Sequence, residues 1–538
     1  MMSDLGFPIL TALIATPIVG ALAVLCTPSK RPEISRAVAI LTAAVTLGFA
    51  LWLLAEFEAG VGGFQFVEEA RWFDALGVGY IVGVDGFSIF MVVITALLFP
   101  IGMVASANIG RRVKEYMFWF LLLEGAIMGI FLSLDLIAFF VFWEAMLVPM
   151  YFLISGWGSA NRAYASMKFF IYTALGSAFL LAAIVALGFL HQADTGLLTF
   201  DYRVLAAWDG LAGGTEKWLF LGFMVAFAIK APLFPFHTWL PDVHTEAPTA
   251  GSVVLAGVIL KMGAYGFLRF SFELFPSASV YFGPVIMTMA VIGIVYGSIV
   301  AAMQRDAKRL IAFSSVAHMG FILLGIFSIT VFGLDGAAFT MVSHPLTTGS
   351  LFLVIGMLYE RRHTRDIDAF GGIWRSAPIL TTLFMVAMFA GIGLPGFSGF
   401  IGEFLSILGA FIAHRWWGVV ATIGVVLGAV YMLWMFQRVF TGVPNEENAK
   451  VKDVNLREIA VVAPLLLISL FIGIHPSPVL DRIEPTARRV IENFERKTDY
   501  RQPAADRVPS PSEIVEEEEK IQQYDTEGPS SPHEDVSK

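Results

Sequence analysis

An all-α, polytopic membrane protein is the fold class that this sequence predicts, and three observations predict it. Of 538 residues, 57% are hydrophobic and only 15% are charged; a soluble domain typically carries about 25% charged residues. The apolar residues come in blocks of about 18–25, long enough to cross a hydrocarbon core of about 30 Å. The blocks are continuous, whereas a membrane β-barrel would alternate within segments of about ten residues. The first block lacks a basic leader and is followed by many more, which predicts a retained helix and not a cleaved signal.

Taken in order, the blocks predict about 14 transmembrane helices, near 7–27, 36–56, 86–107, 116–132, 135–154, 165–190, 217–241, 250–270, 280–302, 310–330, 336–360, 377–413, 417–440 and 458–476. Helices 7 and 12 are expected to be broken. In Lys230-Ala-Pro232-Leu-Phe-Pro235 the prolines lack N–H groups, so the carbonyls of Ala228 and Ala231 lose helical partners. In Gly393-Leu-Pro395-Gly396 the proline does the same to Gly391. Each break lies near an ionisable residue and five spans from the other. An odd-numbered repeat inserts upside down, so helices 4–8 and 9–13 are expected to be two inverted five-helix repeats. The expected organisation is helices 1–3 over residues 1–115, a first repeat over 116–270 and a second, inverted repeat over 280–440. Helix 14 with a short surface helix (480–497) would occupy 441–498, before an acidic tail over 499–538.

Lys/Arg in the connections set orientation. The odd-numbered connections hold 18 of them and the even-numbered ones only 4, namely Arg71, Arg203, Lys217 and Arg415. Odd connections are therefore expected in the cytoplasm and both termini outside it. The net charge of −9 sits mostly at the end: residues 499–538 hold 4 Lys/Arg and 11 Asp/Glu. That segment has few apolar groups to offset ordering entropy, and disorder or binding along a partner is expected. The single cysteine, Cys26, excludes an intrachain disulfide and an iron–sulfur cluster held by this chain alone.

Glu144, Lys230, Lys261, His318, His344 and Glu403 all fall inside apolar spans. A charge at mid-bilayer costs about 2.5–3.5 kcal/mol on insertion scales, and such groups usually face an interior or a water path and often relay protons. A carboxylate about 4 Å from a buried lysine contributes roughly 4 kcal/mol at an effective dielectric of 20. Glu144 beside Lys230 can thus set how tightly the lysine holds its proton; a static salt bridge between helices is the alternative. Lys261 with His318, His344 and nearby hydroxyls can pass protons through water, although a lone histidine on an apolar helix is commonly just hydrogen-bonded. Glu124 is a further buried acid open to either reading, and Asp135 is expected at the interface.

Two motifs are set aside. The segment His237…Asp242-Val-His244-Thr-Glu246 is metal-like in residue type, but its spacing matches no standard zinc site, and a rigid polar turn is expected. Gly391-Ile-Gly393-Leu-Pro-Gly396 matches a dinucleotide fingerprint but follows no strand and contains a proline. No nucleotide or nucleic-acid motif remains.

The runs Phe-Trp-Glu144-Ala-Met-Leu-Val-Pro, Lys230-Ala-Pro-Leu-Phe-Pro-Phe-His237-Thr-Trp-Leu-Pro-Asp-Val-His-Thr-Glu-Ala-Pro and Leu-Pro395-Gly-Phe-Ser-Gly-Phe-Ile-Gly-Glu403-Phe resemble the antiporter-like membrane subunits of respiratory complex I, the proton-pumping NADH:quinone oxidoreductase. The resemblance covers about residues 1–480. Glu403 departs from the sister subunits L and N, which typically carry lysine there. The resemblance implies a proton-translocating subunit of the membrane arm in the bacterial cytoplasmic membrane. Its partners would be the other membrane subunits, including L and N, and lipids, with no nucleic acid. Glu144 and Lys230 would serve one half-channel, Lys261 a central bridge, His318 and His344 the continuing line, and Glu403 the second half-channel. No cofactor or metal is implied in this chain; FMN, iron–sulfur clusters and quinone would sit in partner subunits. A subunit of a multisubunit sodium/proton antiporter shares the motifs, and a non-conducting structural subunit is the other alternative.

Overall fold

The computed structural model describes residues 6–503. Apart from one β-hairpin it is helical. Among the described residues, twelve helices are long and apolar enough to cross a membrane. They match the expected spans within a few residues, except at spans 7 and 12. Span 7 is the helix Gly213–Lys230 followed, after a non-helical turn, by the short helix Trp239–Glu246. Span 12 is Pro378–Gly391 and Ser398–Ala413, separated by a turn in which Gly393 and Gly396 take φ of +73° and +99°. Those dihedrals are open to glycine at little cost, so the helix can break there.

The helix Gly213–Lys230 stops because Pro232 and Pro235 cannot donate to it. Its last carbonyls do not all stay free. The Leu233 N–H donates to the Ala228 carbonyl at 2.9 Å, and the Trp239 indole donates to the Ile229 carbonyl at 2.9 Å. The expected loss of a partner at Ala228 is thus repaired inside the protein, as backbone at membrane depth requires. The segment expected as a polar turn, 237–248, contains a true helix. Its Asp242 binds Lys168 at 2.7 Å and Arg309 at 3.1 Å, tying three helices together.

Three helices form the interior: Thr249–Leu274, Ala307–Phe327 and Val331–Arg362. They are almost wholly buried, whereas Pro32–Glu56 and Arg415–Phe440 bury only about a quarter of their length. The outer helices turn Leu41, Ile423 and Val426 outward, as lipid-facing surfaces do. Lipid is as apolar as leucine, so the helices associate through close packing and not by escape from water. Small residues permit that approach. A Cβ at Gly263 would lie 2.5 Å from the Ala231 nitrogen, and one at Gly402 would lie 2.3 Å from Thr340 Oγ1. The three buried helices carry Lys261, His318 and His344. The most expensive residues therefore sit where protein, not lipid, surrounds them.

Two elements differ from expectation. The strands Gln65–Phe73 and Val78–Val84 form an antiparallel hairpin between the second and third spans. The segment expected as a surface helix is the helix Ser477–Lys497, and one face of it is buried. Val479, Ile483, Ala487, Val490, Ile491 and Phe494 recur every three or four residues and pack inward. Asp135, expected at the membrane interface, caps the helix Leu136–Ala145 at its N-terminal end, accepting from the N–H groups of Ile137 and Ala138, and is buried within the protein. The acidic segment 504–538 lies outside the described residues, but its approach is anchored, with the Tyr500 hydroxyl donating to the Ile329 carbonyl at 2.9 Å.

Candidate functional site

Lys230 is the last residue of its helix and is 1% exposed. A helix C-terminus carries partial negative charge, which favours a cation there. The ammonium lies 3.6 Å from Met146 Sδ and faces the rings of Trp143 and Phe169 at 5.1 and 5.3 Å. Glu144 is the carboxylate whose field acts on Lys230. The two do not form an ion pair in this conformation, and Glu144 Oε1 is buried with no hydrogen-bond partner among the described residues. The structure thus brings the pair into one neighbourhood without the close contact of about 4 Å used to estimate their coupling. Aromatic faces stand in part for the carboxylate, each worth up to about 2 kcal/mol when desolvated.

Lys261 is fully buried between two π-turns, Leu255–Ile259 and Phe267–Ser271. Such turns widen a helix and frequently mark functional positions. Its ammonium donates to the Ala256 carbonyl at 2.6 Å and lies 2.7 Å from His344 Nδ1. The His344 and His318 rings meet edge to face, 5.2 Å between centroids. His318 Nδ1 lies 2.7 Å from Glu403 Oε1. Lys261, His344, His318 and Glu403 therefore form one row across the interior, joined by two hydrogen bonds and one ring contact. Ser298, His318, Glu403 and Tyr431 line a cavity of about 10 Å³, about the space of a single water.

The first half joins this row by packing and not by hydrogen bonds. Gly263, two residues beyond Lys261, rests against Phe227 and Ala231 at the end of the Lys230 helix. Among the described residues no hydrogen bond connects Lys230 with Lys261. Glu124 is fully buried, and neither of its oxygens has a hydrogen-bond partner among the described residues; the structure brings it to none of the other site residues.

Sequence reasoning gave three nearby groups no part in the site, setting His244 aside with the metal-like segment. His244 is fully buried, stacks on Phe352 at 4.7 Å, and feels the charges of Lys261 and Lys308. Lys308 is buried and donates to the Ala247 carbonyl. Lys168 pairs with Asp242. Lys168 was legible as a charge within an apolar span, but its partner is set by tertiary packing. Among the described residues no three His, Cys, Asp or Glu side chains converge as metal ligands would.

The family profile described as NADH:quinone oxidoreductase/Mrp antiporter, TM matches residues 133–428, more than half of the chain. The chain belongs to this family. The NADH-quinone oxidoreductase subunit M of Rhodobacter capsulatus is 45% identical over 465 residues, covering 85% of this chain and 90% of that protein. A chain of respiratory complex I from Thermus thermophilus, solved with bound NADH, superposes with a TM-score of 0.83 at 32% identity, over 90% of this chain and 99% of that one. A chain of the Mrp complex from Dietzia sp. DQ12-45-1b superposes with a TM-score of 0.78 at 23% identity, over 90% and 99%; at that identity the likeness is one of fold. The family match spans every residue of the Lys261–His344–His318–Glu403 row, and Glu144 and Lys230 with it. As a family member the chain is a multi-pass subunit of a multisubunit membrane complex.

Proposed function

We propose that this chain is a proton-translocating membrane-arm subunit of a respiratory NADH:quinone oxidoreductase, and that Glu144, Lys230, Lys261, His344, His318 and Glu403 carry the protons. The observation that carries this reading is the buried row from Lys261 to Glu403. The two hydrogen-bonded links suit direct proton transfer. The ring contact between His344 and His318, where His344 Nε2 has no hydrogen-bond partner among the described residues, needs a water or a ring movement. If Lys261 donates to His344 Nδ1, that ring carries its own proton on Nε2. Uptake at Nδ1 then allows release from Nε2, which is how imidazole passes a proton on. His318 repeats the step and meets Glu403 through Nδ1, so a proton arriving at this ring creates an imidazolium–carboxylate pair.

Lys230 plays the complementary part at the first break. Its charged form rests on aromatic faces, the helix end and the field of Glu144. A small movement of Glu144 toward or away from it changes the proton affinity of the lysine with little backbone motion. Water entering beside Met146 would link this site to Lys261. The two breaks then mark inverted repeats over 116–270 and 280–440, within a count of fourteen spans. The reading places the chain in a bacterial cytoplasmic membrane with both termini outside the cytoplasm, beside the sister subunits L and N. NADH oxidation and quinone reduction, with FMN and iron–sulfur clusters, belong to partner subunits.

Lys230→Ala and Glu144→Gln, each in the assembled complex, test this reading. Both are expected to lower proton pumping and coupled quinone reduction strongly, and Glu144→Asp is expected to be milder because it keeps a titratable carboxylate. Losing one partner of a buried pair can also cost about 3–5 kcal/mol of stability, so assembly is measured on the same membranes. Normal pumping by fully assembled Lys230→Ala complexes would falsify the role given to the pair.

A further inference from the structure

A second buried charge cluster lies off the proton row. Lys261, Tyr265 and Arg269 are spaced four residues apart on the helix Thr249–Leu274, so they rise along one face. Arg269 is 1% exposed and Asp85 is fully buried. Arg269 Nη2 donates to Asp85 Oδ1 at 2.5 Å, and its Nε donates to the Tyr265 hydroxyl at 3.1 Å. That hydroxyl donates to the Phe131 carbonyl at 3.1 Å. The guanidinium is boxed by the rings of Phe64, Tyr265 and Tyr202, at 4.8, 5.2 and 5.9 Å. Beyond the pair opens a cavity of about 800 Å³, whose lining includes Phe64, Tyr202, Glu273, Arg489 and Lys497. The face that starts at Lys261 therefore ends, through Tyr265 and the Asp85–Arg269 pair, at space large enough for many waters.

Asp85 uses its two oxygens unequally. Oδ1 accepts from Arg269, from the N–H groups of Phe87 and Ser88, and from the Ser88 hydroxyl. Oδ2 has no hydrogen-bond partner among the described residues and faces Arg489 Nη2 at 3.9 Å. Arg489 also lies 3.6 Å from Glu273 Oε1, and the Tyr202 hydroxyl donates to the other oxygen of Glu273. Arg489 belongs to the helix Ser477–Lys497, which is fastened here by the Gly86 N–H donating to Thr486 Oγ1 at 3.1 Å.

We propose that Asp85 and Arg269 form a gate between Lys261 and this cavity, a charged plug that keeps protons on the central lysine from leaking to the surface under the Ser477–Lys497 helix. The inference rests on reading Lys261 as a proton site. Four features support it. An arginine does not give up its proton at any physiological pH, so a proton cannot hop through it. The Tyr265 proton is committed to a backbone carbonyl. Three rings leave little room for water around the guanidinium. A buried ion pair is weak evidence for stability, since apolar replacements are often as stable or more so, which leaves its charge as the feature to explain. Arg489 and Thr486 hold the plug from the cavity side.

The whole complex, reconstituted in liposomes, tests the gate. Asp85→Asn combined with Arg269→Gln removes both charges and keeps similar shapes. Without NADH, an imposed potassium diffusion potential should drive protons through this double variant roughly tenfold faster than through wild type, as for a barrier lowered by about 1.4 kcal/mol, per complex counted on native gels. Influx at the wild-type rate overturns the proposal. Adding Lys261→Met should return the influx to baseline; influx that persists comes from a hole elsewhere and also overturns it. The Lys261→Met single variant separates the two ideas. Normal NADH-driven pumping there sinks the reading of Lys261, whereas lost pumping together with a tight double variant sinks the gate alone. A second measurement leaves the charges in place, in solubilised complex carrying Cys26→Ser. A charged maleimide should label Ser277→Cys at the cavity rim and spare Ser88→Cys beside Tyr265; equal labelling of both contradicts a closed gate.

Discussion

Gly263 has no room for a methyl group. A Cβ there would meet the Ala231 nitrogen at 2.5 Å and the Phe227 carbonyl oxygen at 2.6 Å, both backbone atoms that cannot step aside. Gly263→Ala should push apart the helices that carry Lys230 and Lys261. Overpacking of this kind costs about 1–3 kcal/mol. The expected outcome is assembled complex that dissociates at lower temperature on native gels and pumps more slowly; wild-type behaviour in both would contradict the close approach. Asp85 offers a pH test. Burial alone would raise its pKa, but the Arg269 guanidinium, helped by Arg489, holds the carboxyl below its usual value. A lowered folded-state pKa gives stability that is complete above the unfolded value of about 3.9 and is lost as pH falls through the folded value. The groups facing it are Arg269, Arg489, Tyr265 and the Ser88 hydroxyl, and Glu273 and Tyr202 stand behind Arg489. Asp85→Asn should therefore destabilise the solubilised complex by a constant amount from pH 8 to 5, and the deficit should shrink only in stronger acid. A deficit that grows on acidification across that range would contradict the pairing. At this scale the sequence was informative where a charge interrupted an apolar run, as at Lys230, Lys261 and Glu403. Arg269 gave the same signal, but the aspartate that completes it lies 184 residues away, and only the fold brings the two together.

The helix Ser477–Lys497 packs against elements far apart in the chain. Its apolar face reaches the long helix Val331–Arg362, while Phe494 meets Phe272 and Arg489 reaches Asp85. Val490→Asp would bury an unpaired carboxylate on that face, a cost of several kcal/mol. It should reduce the amount of assembled complex severalfold, measured by native gel against Glu492→Asp on the same helix. Deleting residues 504–538 should leave assembly and pumping intact. Cutting after residue 498 instead removes Tyr500, which donates to the Ile329 carbonyl and packs edge-on against Phe494, and should lower assembly modestly. Equal effects from both truncations would show that the anchor is unimportant. Hydropathy and proline placed the spans and both breaks, because those features are local. The π-turns around Lys261 leave no local signature, since the same residues fit an ordinary α-helix. The hairpin over Gln65–Val84 had a glycine turn at Gly77, a signal hidden beside the much stronger apolar blocks.

Across the whole molecule, basic residues crowd the odd-numbered connections, from which we propose that the C-terminal segment lies outside the cytoplasm. Protease added to intact spheroplasts should trim the chain beyond about residue 503, and trimming only in inverted vesicles would overturn that orientation. The family's chemistry was legible because its ionisable residues lie in long, specific runs. The geometry of their connection was not: that Lys261, His344, His318 and Glu403 touch in series depends on three buried helices packed through small residues. The most direct test of the account is the number of protons pumped per NADH oxidised by assembled Lys261→Met complexes in liposomes. Methionine keeps the volume of the lysine and breaks the row at its first link. The account predicts a clear fall in pumping, with quinone reduction slowed alongside it. A wild-type proton ratio at a wild-type rate would contradict the claim that this buried row carries protons.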